Sequence, residues 1–266
     1  MAAAQHVAIT GASGGLGRAL AEHYAAPGWT LSLTGRSAER LGEVADACRR
    51  AGAAVDVRVL DVTDAPAMEA WVTSRDEAQA VDILIANAGI GGSDAMPGPL
   101  GDTGGAAREI ISVNTIGVVN TIAPLLPRLI ARRRGRVALV GSISGYMGLP
   151  QSPAYCASKA AVWIYGEALR RLALEHGVSV TTIMPGYIDT PMSQSLGIAR
   201  PWLWTAERAA RRIASDIERG VRESVFPWQL RVAIGVGRLV PASITDPILS
   251  RSMRQMSARQ SRRTRG

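Results

Sequence analysis

The segment Thr10-Gly11-Ala12-Ser13-Gly14-Gly15-Leu16-Gly17 puts four glycines directly between a β-branched run, His6–Thr10, and an amphipathic pattern near 16–26. A strand that turns into a helix through glycines lets the backbone approach a pyrophosphate, which then rests on the N-terminal N–H groups of the helix. Structural turns use the same residues, so the glycines alone say little. Their place between a first strand and a first helix is what points to a bound dinucleotide.

The remainder of the chain repeats that alternation. Thr30–Thr34, Ala54–Leu60, Asp82–Ala86, Arg136–Val140 and Ser179–Met184 read as strands, with helical patterns near 38–51, 65–79, 105–133, 153–176 and 206–219. Strands that alternate with helices predict an α/β, single-domain, Rossmann-like doubly wound parallel sheet with helices on both faces and a ligand crevice at the carboxyl ends of the strands. No internal repeat or long linker divides it. Residues 1–228 read as the folded unit, with a flap at about 190–205, and residues 229–266 as an apolar, then basic, C-terminal extension of the same domain.

Composition narrows the function classes. With 47% hydrophobic residues but one phenylalanine among 266, the core must be aliphatic. Cys48 and Cys156 are far apart, as are His6, His23 and His176, so neither a disulfide framework nor a metal site is expected. Met1–Gln5 has no basic region followed by an apolar stretch, which predicts a cytoplasmic chain. The apolar stretch Ile110–Pro127 carries Asn114 and Asn120, and so suits a buried helix better than a bilayer span. The net charge of +8 belongs to the end of the chain: residues 1–220 hold 21 basic and 20 acidic side chains, whereas 221–266 hold nine arginines against Glu223 and Asp246. A solvated terminus is favoured over contact with acidic lipid or nucleic acid, and no nucleic-acid partner is expected.

At the end of the second strand the chain reads Leu33-Thr34-Gly35-Arg36-Ser37. Sites for NAD usually hold the ribose 2′-hydroxyl with an acidic side chain there, whereas a 2′-phosphate needs a cation. Glycine fills the acidic slot and Arg36 adjoins it, which favours NADP(H) over NAD(H), unless Arg36 is one more surface arginine. Lys159 is the only lysine in a chain with 29 arginines, and it follows Tyr155 by four residues. On a helix that spacing sets both side chains on one face. A phenol with a reference pKa of about 10 needs a nearby positive charge to give or take a proton at neutral pH. A compact ammonium suits that task better than a broad guanidinium.

These residues resemble the short-chain dehydrogenase/reductase family, in the branch with the TGxxxGxG turn and YxxxK site, over roughly residues 5–192. Asp61-Val62 resembles its adenine-contacting pair and Asn87-Ala88-Gly89 its NAG motif. Asn114 matches the asparagine of its proton relay, and Ser142, thirteen residues before Tyr155, its substrate-orienting serine. Pro185-Gly186 with Ile188 and Thr190 matches the segment that positions the nicotinamide carboxamide. The resemblance implies catalysis by Asn114, Ser142, Tyr155 and Lys159. It implies cofactor contacts from Gly11, Ser13, Gly15, Leu16, Gly17, Arg36, Asp61, Val62, Asn87, Ala88, Gly89, Tyr155, Lys159, Pro185, Gly186, Ile188 and Thr190. Plain readings stand beside it: Asn87-Ala88-Gly89 as a turn, Asn114 as a polar residue that bends its helix, and Ser144 rather than Ser142 as the serine facing the cleft.

The chemistry so implied is hydride transfer between a nicotinamide and a carbonyl or secondary alcohol, with Lys159 lowering the Tyr155 pKa and Asn114 holding a relay water. Substrate contacts are expected from Ser142, Tyr146, Tyr155, Trp202 and Trp204. More broadly, the loop 91–105, the segment 146–153 and the flap 192–204 bring Met96, Met147, Leu149, Leu196, Ile198 and Leu203, which favours an apolar small molecule. The tryptophans equally suit packing against the next helix. The family's common ending, a short strand and a VDGG-like segment, reads as absent, replaced by Phe226-Pro227-Trp228. That leaves a tetramer in doubt and a dimer through the helices near 105–133 and 153–176 in place. Gln229–Leu239 suits a cover over the cleft or a partner subunit, and less readily a membrane surface. A non-catalytic NADP(H) sensor and an epimerase or lyase are the alternative functions.

Overall fold

The computed structural model describes residues 5–91, 102–196, 199–241 and 243–247. The chain begins with β1 (Gln5–Thr10), α1 (Gly15–Tyr24), β2 (Trp29–Gly35), α2 (Ala38–Arg50), β3 (Ala54–Val59), α3 (Ala65–Ala78) and β4 (Ile83–Ala86). It continues with α4 (Gly105–Ile111), a π-turn (Ser112–Ile116), α5 (Gly117–Ile122), α6 (Leu126–Ala131), β5 (Gly135–Val140), a 3₁₀ turn (Ile143–Tyr146), α7 (Pro153–Ala173) and β6 (Val178–Pro185). The last elements are β7 (Ile188–Asp189), α8 (Pro191–Gln194), β8 (Trp204–Thr205), α9 (Ala206–Glu218), β9 (Glu223–Phe226) and α10 (Trp228–Leu239).

Seven parallel strands form one sheet in the order β3-β2-β1-β4-β5-β6-β9. The chain winds outward from β1 to β3, then returns to place β4 on the other side of β1. That reversal opens the crevice where ligands bind in such sheets. Alternation along each strand feeds two cores. Val7, Ile9, Ile83, Ile85, Ala138 and Val140 pack with residues of α1, α2 and α9. Ala8, Leu84, Ala86, Val137 and Leu139 pack with residues of α3, α5 and α7. Strands apolar on both faces are what a helix-covered parallel sheet requires. β3, at the edge, exposes Val57 and Val59 but carries Asp56 and Arg58, charges that discourage pairing with another strand.

Helix ends follow local chemistry. Ser37, Asp64 and Thr205 each accept a hydrogen bond from the backbone N–H three residues on, capping α2, α3 and α9. Gly177, at φ 68°, ends the segment that follows α7 in the left-handed conformation glycine tolerates.

Two expectations change. The helix expected over 105–133 is interrupted by the π-turn at 112–116, and breaks again at Pro124, which has no N–H to give the helical ladder. By length and composition Gly105–Ala131 passes as a membrane span; Val113, Val118 and Ile122 on it are nonetheless buried in the core of β4 and β5. The short final strand, read as absent, is present: β9 pairs in parallel with β6. Only four residues long, it gives too little alternation to be seen in sequence. Asp216 on α9 accepts a hydrogen bond from Ser224 Oγ at 2.5 Å and so pins β9 to the helix beneath it.

Candidate active site

At the carboxyl end of β1 the backbone has no room for side chains. A Cβ on Gly11 would stand 2.7 Å from Ala88 Cα, and one on Gly17 would stand 2.1 Å from Gly11 O. Thr10 Oγ1 accepts hydrogen bonds from the N–H groups of Asn87 (3.1 Å) and Ala88 (3.2 Å), while Asn87 Nδ2 donates to Thr10 O (2.9 Å) and Gly11 O (3.2 Å). Asn87-Ala88-Gly89 is therefore stitched to the glycine turn and is more than a turn of its own. α1 starts behind Gly14, which supplies no side-chain cap, and its first turn carries no acid. Those N–H groups are left for an anion, which fits the pyrophosphate of a dinucleotide. Thr190 Cγ2 lies 3.2 Å from the Cβ position of Gly15, and Ser13 Oγ 2.9 Å from that of Gly35, so both hydroxyl residues border the same turn. Thr190 also caps α8 through a reciprocal bond with Ser193, which fixes the Pro185–Thr190 segment over the crevice.

Arg36 is exposed, and its Nη1 stands 3.8 Å from Glu109 Oε1. Neither side chain is buried, so the pair holds Arg36 only loosely and leaves it open to a ligand. Asp61 Oδ1 accepts from Thr63 N (2.9 Å) and Thr63 Oγ1 (2.8 Å); the backbone bond, more than the hydroxyl bond or the charge of Arg36, holds its carboxyl below the usual range. Val62 turns inward: a Cβ on Gly117 would stand 2.5 Å from Val62 Cγ2. Of the Asp61-Val62 pair, only Asp61 presents a polar side chain.

Four side chains converge at the ends of β4 and β5. A Cβ on Gly89 would meet Asn114 Oδ1 at 3.2 Å and Lys159 Nζ at 3.4 Å, and one on Gly91 would meet the Tyr155 ring at 2.6 Å. Asn114 sits in the π-turn, fully buried. Its Oδ1 accepts from Ile90 N (2.8 Å), and its Nδ2 donates to Ile90 O (2.9 Å) and Ser158 Oγ (3.1 Å). Through these bonds the Asn114 amide clamps the Ile90 peptide. π-turns often mark such sites because they re-aim one side chain. Lys159 Nζ donates to Val140 O at 2.9 Å and lies 5.8 Å from the Tyr155 ring centroid; burial lowers its pKa to about 8.

Burial raises the pKa of Tyr155, and a hydrogen bond with Ser142 works in the opposite direction. Desolvation disfavours the phenolate more strongly than the Ser142 hydrogen bond favours it. Ser142, 8% exposed, is the serine bonded to Tyr155, and its Oγ also accepts from Ser144 N at 3.1 Å.

One residue of this cluster is absent from the motif reading. Ser152 precedes α7 but makes no capping bond. Asp102, 3% exposed, caps the helix from elsewhere in the chain, its Oδ1 accepting from Ala154 N (2.8 Å) and its Oδ2 from Tyr155 N (2.9 Å). No spacing rule links residues 102 and 154. The signal in sequence was an acid in a glycine-rich loop that also holds Asp94, which suits a turn equally well.

The expected substrate residues are less well gathered. Tyr146 Oη donates to Glu223 Oε1 at 2.5 Å and its ring packs edge-on against Trp163, so its hydroxyl is taken. Trp204 stacks on Phe226 at 4.8 Å and carries Arg208 over its ring at 3.9 Å; it belongs to the core and the start of α9. The packing alternative holds for that tryptophan. Trp202 is half exposed. Met96 and Ile198 lie outside the described residues. A cavity of about 690 Å³ follows the segment 145–150, bordered by Tyr146, Leu149, Cys156, Ala160 and Asp246, but Tyr155 and Ser142 do not line it.

Comparison with known proteins agrees with this architecture. The short chain dehydrogenase family model matches residues 5–200. An uncharacterized oxidoreductase of Myxococcus xanthus is 35% identical over 240 residues, covering 90% of this chain and 93% of that protein. The solved short-chain dehydrogenase from Sphingobium yanoikuyae in complex with NADPH is 26% identical at a TM-score of 0.75, covering 88% of this chain and 95% of that one. A short chain dehydrogenase from Mycobacterium paratuberculosis bound to NAD, 23% identical at a TM-score of 0.72 and covering 84% and 96%, shares the fold. The chain belongs to the short chain dehydrogenase family and is an NAD(P)-dependent oxidoreductase.

Proposed function

We propose that this protein is an NADP(H)-dependent oxidoreductase that moves a hydride between the nicotinamide and a carbonyl or secondary alcohol of an apolar small molecule. The observation that carries the reading is the convergence of Asn114, Lys159 and Tyr155 on the Gly89–Gly91 backbone, with Ser142 bonded to Tyr155. Residues 1–228 form the catalytic unit and 229–266 its extension. The exposed Arg36 beside Gly35 favours the 2′-phosphate cofactor, and the NADPH complex of the Sphingobium relative supports that choice. Exposed Ile111, Ile116, Ile164 and Leu172 on α4, the π-turn and α7 suit a homodimer, in a cytoplasmic protein.

The bound nicotinamide supplies the hydride donor or acceptor. In reduction, Tyr155 Oη gives its proton to the carbonyl oxygen while Ser142 Oγ donates a hydrogen bond to the same atom, so the developing charge meets donors already in place. A tyrosine whose pKa is raised by burial is fully protonated at neutral pH, ready to act as the acid. Lys159 supplies the positive charge that steadies Tyr155 after the proton leaves. Asn114, by holding Ile90, keeps the Gly91 backbone against the tyrosine ring. An NADP(H) sensor without turnover needs none of these proton-handling groups, and an epimerase or lyase would show no net consumption of NADPH.

Tyr155→Phe should abolish NADPH-dependent reduction of ketones and aldehydes in a substrate screen while NADPH affinity, read by fluorescence titration, stays nearly intact. A variant with ordinary activity sinks the assignment. Arg36→Ala should weaken NADPH by about tenfold or more and NADH little, since one bidentate charged contact is worth roughly that much. Equal loss for both cofactors refutes the 2′-phosphate reading.

A further inference from the structure

Arg36 and Glu109 reach the same corner of the molecule from two different elements. Arg36 leaves the end of β2 directly after Gly35, whose backbone is pressed against the glycine turn, a Cβ there standing 2.9 Å from Ser13 Oγ. Glu109 belongs to α4, which is held from beneath: its neighbour Ile110 is fully buried and packs with Ala154, and the Tyr155 ring lies against both. Residues of the candidate site therefore fix both backbones, while the two side chains, 58% and 61% exposed, can change rotamer. They meet, Nη1 to Oε1, at 3.8 Å.

Glu109 is the ion partner of Arg36 among the described residues. Asp61, whose carboxyl also feels the charge of Arg36, already accepts from the N–H and hydroxyl of Thr63. A pair as open as Arg36 and Glu109 adds little to stability. Its consequence is for what else can approach the guanidinium. A phosphate monoester carries about −1.5 to −2 charge at neutral pH. Held by Arg36 at about 2.8 Å, it would lie within one Debye length of the Glu109 carboxylate, about 10 Å at 0.1 M salt, and be repelled by it. The 2′-hydroxyl of NAD(H) is neutral and meets no such repulsion.

We propose that Glu109 is a specificity-determining residue of the cofactor site. It holds Arg36 as its counter-ion and opposes the 2′-phosphate, so the preference for NADP(H) over NAD(H) is narrower than Arg36 alone would set. The proposal rests on the reading of Arg36 as the 2′-phosphate contact. Two neighbouring side chains of opposite sign then set the cofactor balance: one draws the phosphate in, and the other limits how tightly it is held.

The test compares wild type, Glu109→Gln and Arg36→Ala at salt of about 0.05 M and about 0.5 M. Dissociation constants are read for NADPH and NADH by nicotinamide fluorescence, and for 2′,5′-ADP and 5′-AMP by calorimetry. Glu109→Gln should tighten NADPH and 2′,5′-ADP by about three- to tenfold at the lower salt, leave NADH and 5′-AMP within about twofold, and lose most of that gain at the higher salt. Glutamine keeps the length and polarity of the side chain, so a merely structural role for Glu109 would move all four ligands alike or none. Unchanged NADPH and 2′,5′-ADP, with Arg36→Ala still weakening those two selectively, overturns the role of Glu109 and leaves that of Arg36 standing. A gain shared by NADH and 5′-AMP, or one that salt does not diminish, assigns Glu109 to the shape of the site and also overturns the proposal. Equal loss of NADPH and NADH in Arg36→Ala removes the 2′-phosphate reading, and the proposal with it.

Discussion

Lys159 is 4% exposed and donates to Val140 O, so its charge sits among apolar strand residues that stabilise it poorly. Burial lowers its pKa to about 8 from an ordinary 10.5, which makes it a pH-dependent cost to the cofactor-free fold. Between those values the unfolded chain holds a proton that the folded chain has released, so stability rises with pH across the window, and the cost is in full force below it. Replacing the ammonium by a thioether removes this dependence. Urea melts of wild type and Lys159→Met, compared at about pH 7.5 and about pH 9.5, should show the wild type gaining relative to the variant by about 1 kcal/mol or more as pH rises. A constant difference would show that the ammonium is solvated. In a chain otherwise built on arginine, this position demands a cation slim enough to reach from α7 to the end of β5.

At the scale of elements, α7 is aimed from outside itself. Pro153 suits its first turn because proline lacks the N–H that would be unpaired there, while Asp102 ties down the N–H groups of Ala154 and Tyr155. The carboxylate also complements the positive end of the helix. Asp102→Ala leaves two buried donors unpaired, which should cost about 1–3 kcal/mol of stability and let the start of α7 drift. A shift of about 1 Å at a reacting group can cost roughly a hundredfold in rate. The expected pattern is a fall in kcat with NADPH affinity unchanged, since the phosphate turn lies on α1, and partial rescue by Asp102→Asn, whose amide oxygen still accepts. Equal loss of kcat and cofactor affinity would mean that Asp102 supports the fold at large and does not aim Tyr155.

Across the whole molecule, two buried carboxylates lock helices to their neighbours. Asp76 on α3 bonds Arg128 and Arg132 around α6 and the Val81 N–H before β4. Asp216 on α9 bonds Arg212, Arg219 and Ser224. Both carboxyls titrate below their ordinary value of 3.8: burial acts to raise them, and the arginine, serine and backbone donors together outweigh it. Such groups stabilise the fold above the unfolded pKa, and that contribution is lost as pH falls through the folded values. Asp216→Asn should therefore lose about 1–3 kcal/mol at neutral pH, with the gap to wild type closing below about pH 4. A gap independent of pH would assign the loss to packing alone. Because Ser224 is in β9, this variant should loosen the seventh strand first, visible as faster amide exchange over 223–226.

What the sequence determined by itself was whatever is written in local order. Six strands, the glycine turn and the spacing of Ser142, Tyr155 and Lys159 follow from period, turn chemistry and helix geometry, all of which act over a few residues. The rest depends on where distant segments meet. Asn114 is marked in sequence by its match to the relay asparagine, but that its amide holds the Ile90 peptide appears only once the π-turn aims it there. Asp102 shows its purpose only once the loop before α4 lies over the start of α7. Trp204 suits a substrate wall or packing equally in sequence, and its stacking on Phe226 comes only with the fold, while Tyr146 gives its hydroxyl to Glu223, 77 residues away. Even the sign of the Tyr155 shift was decided by tertiary structure, because desolvation depends on how many neighbours surround the phenol, a quantity that no spacing in the chain encodes.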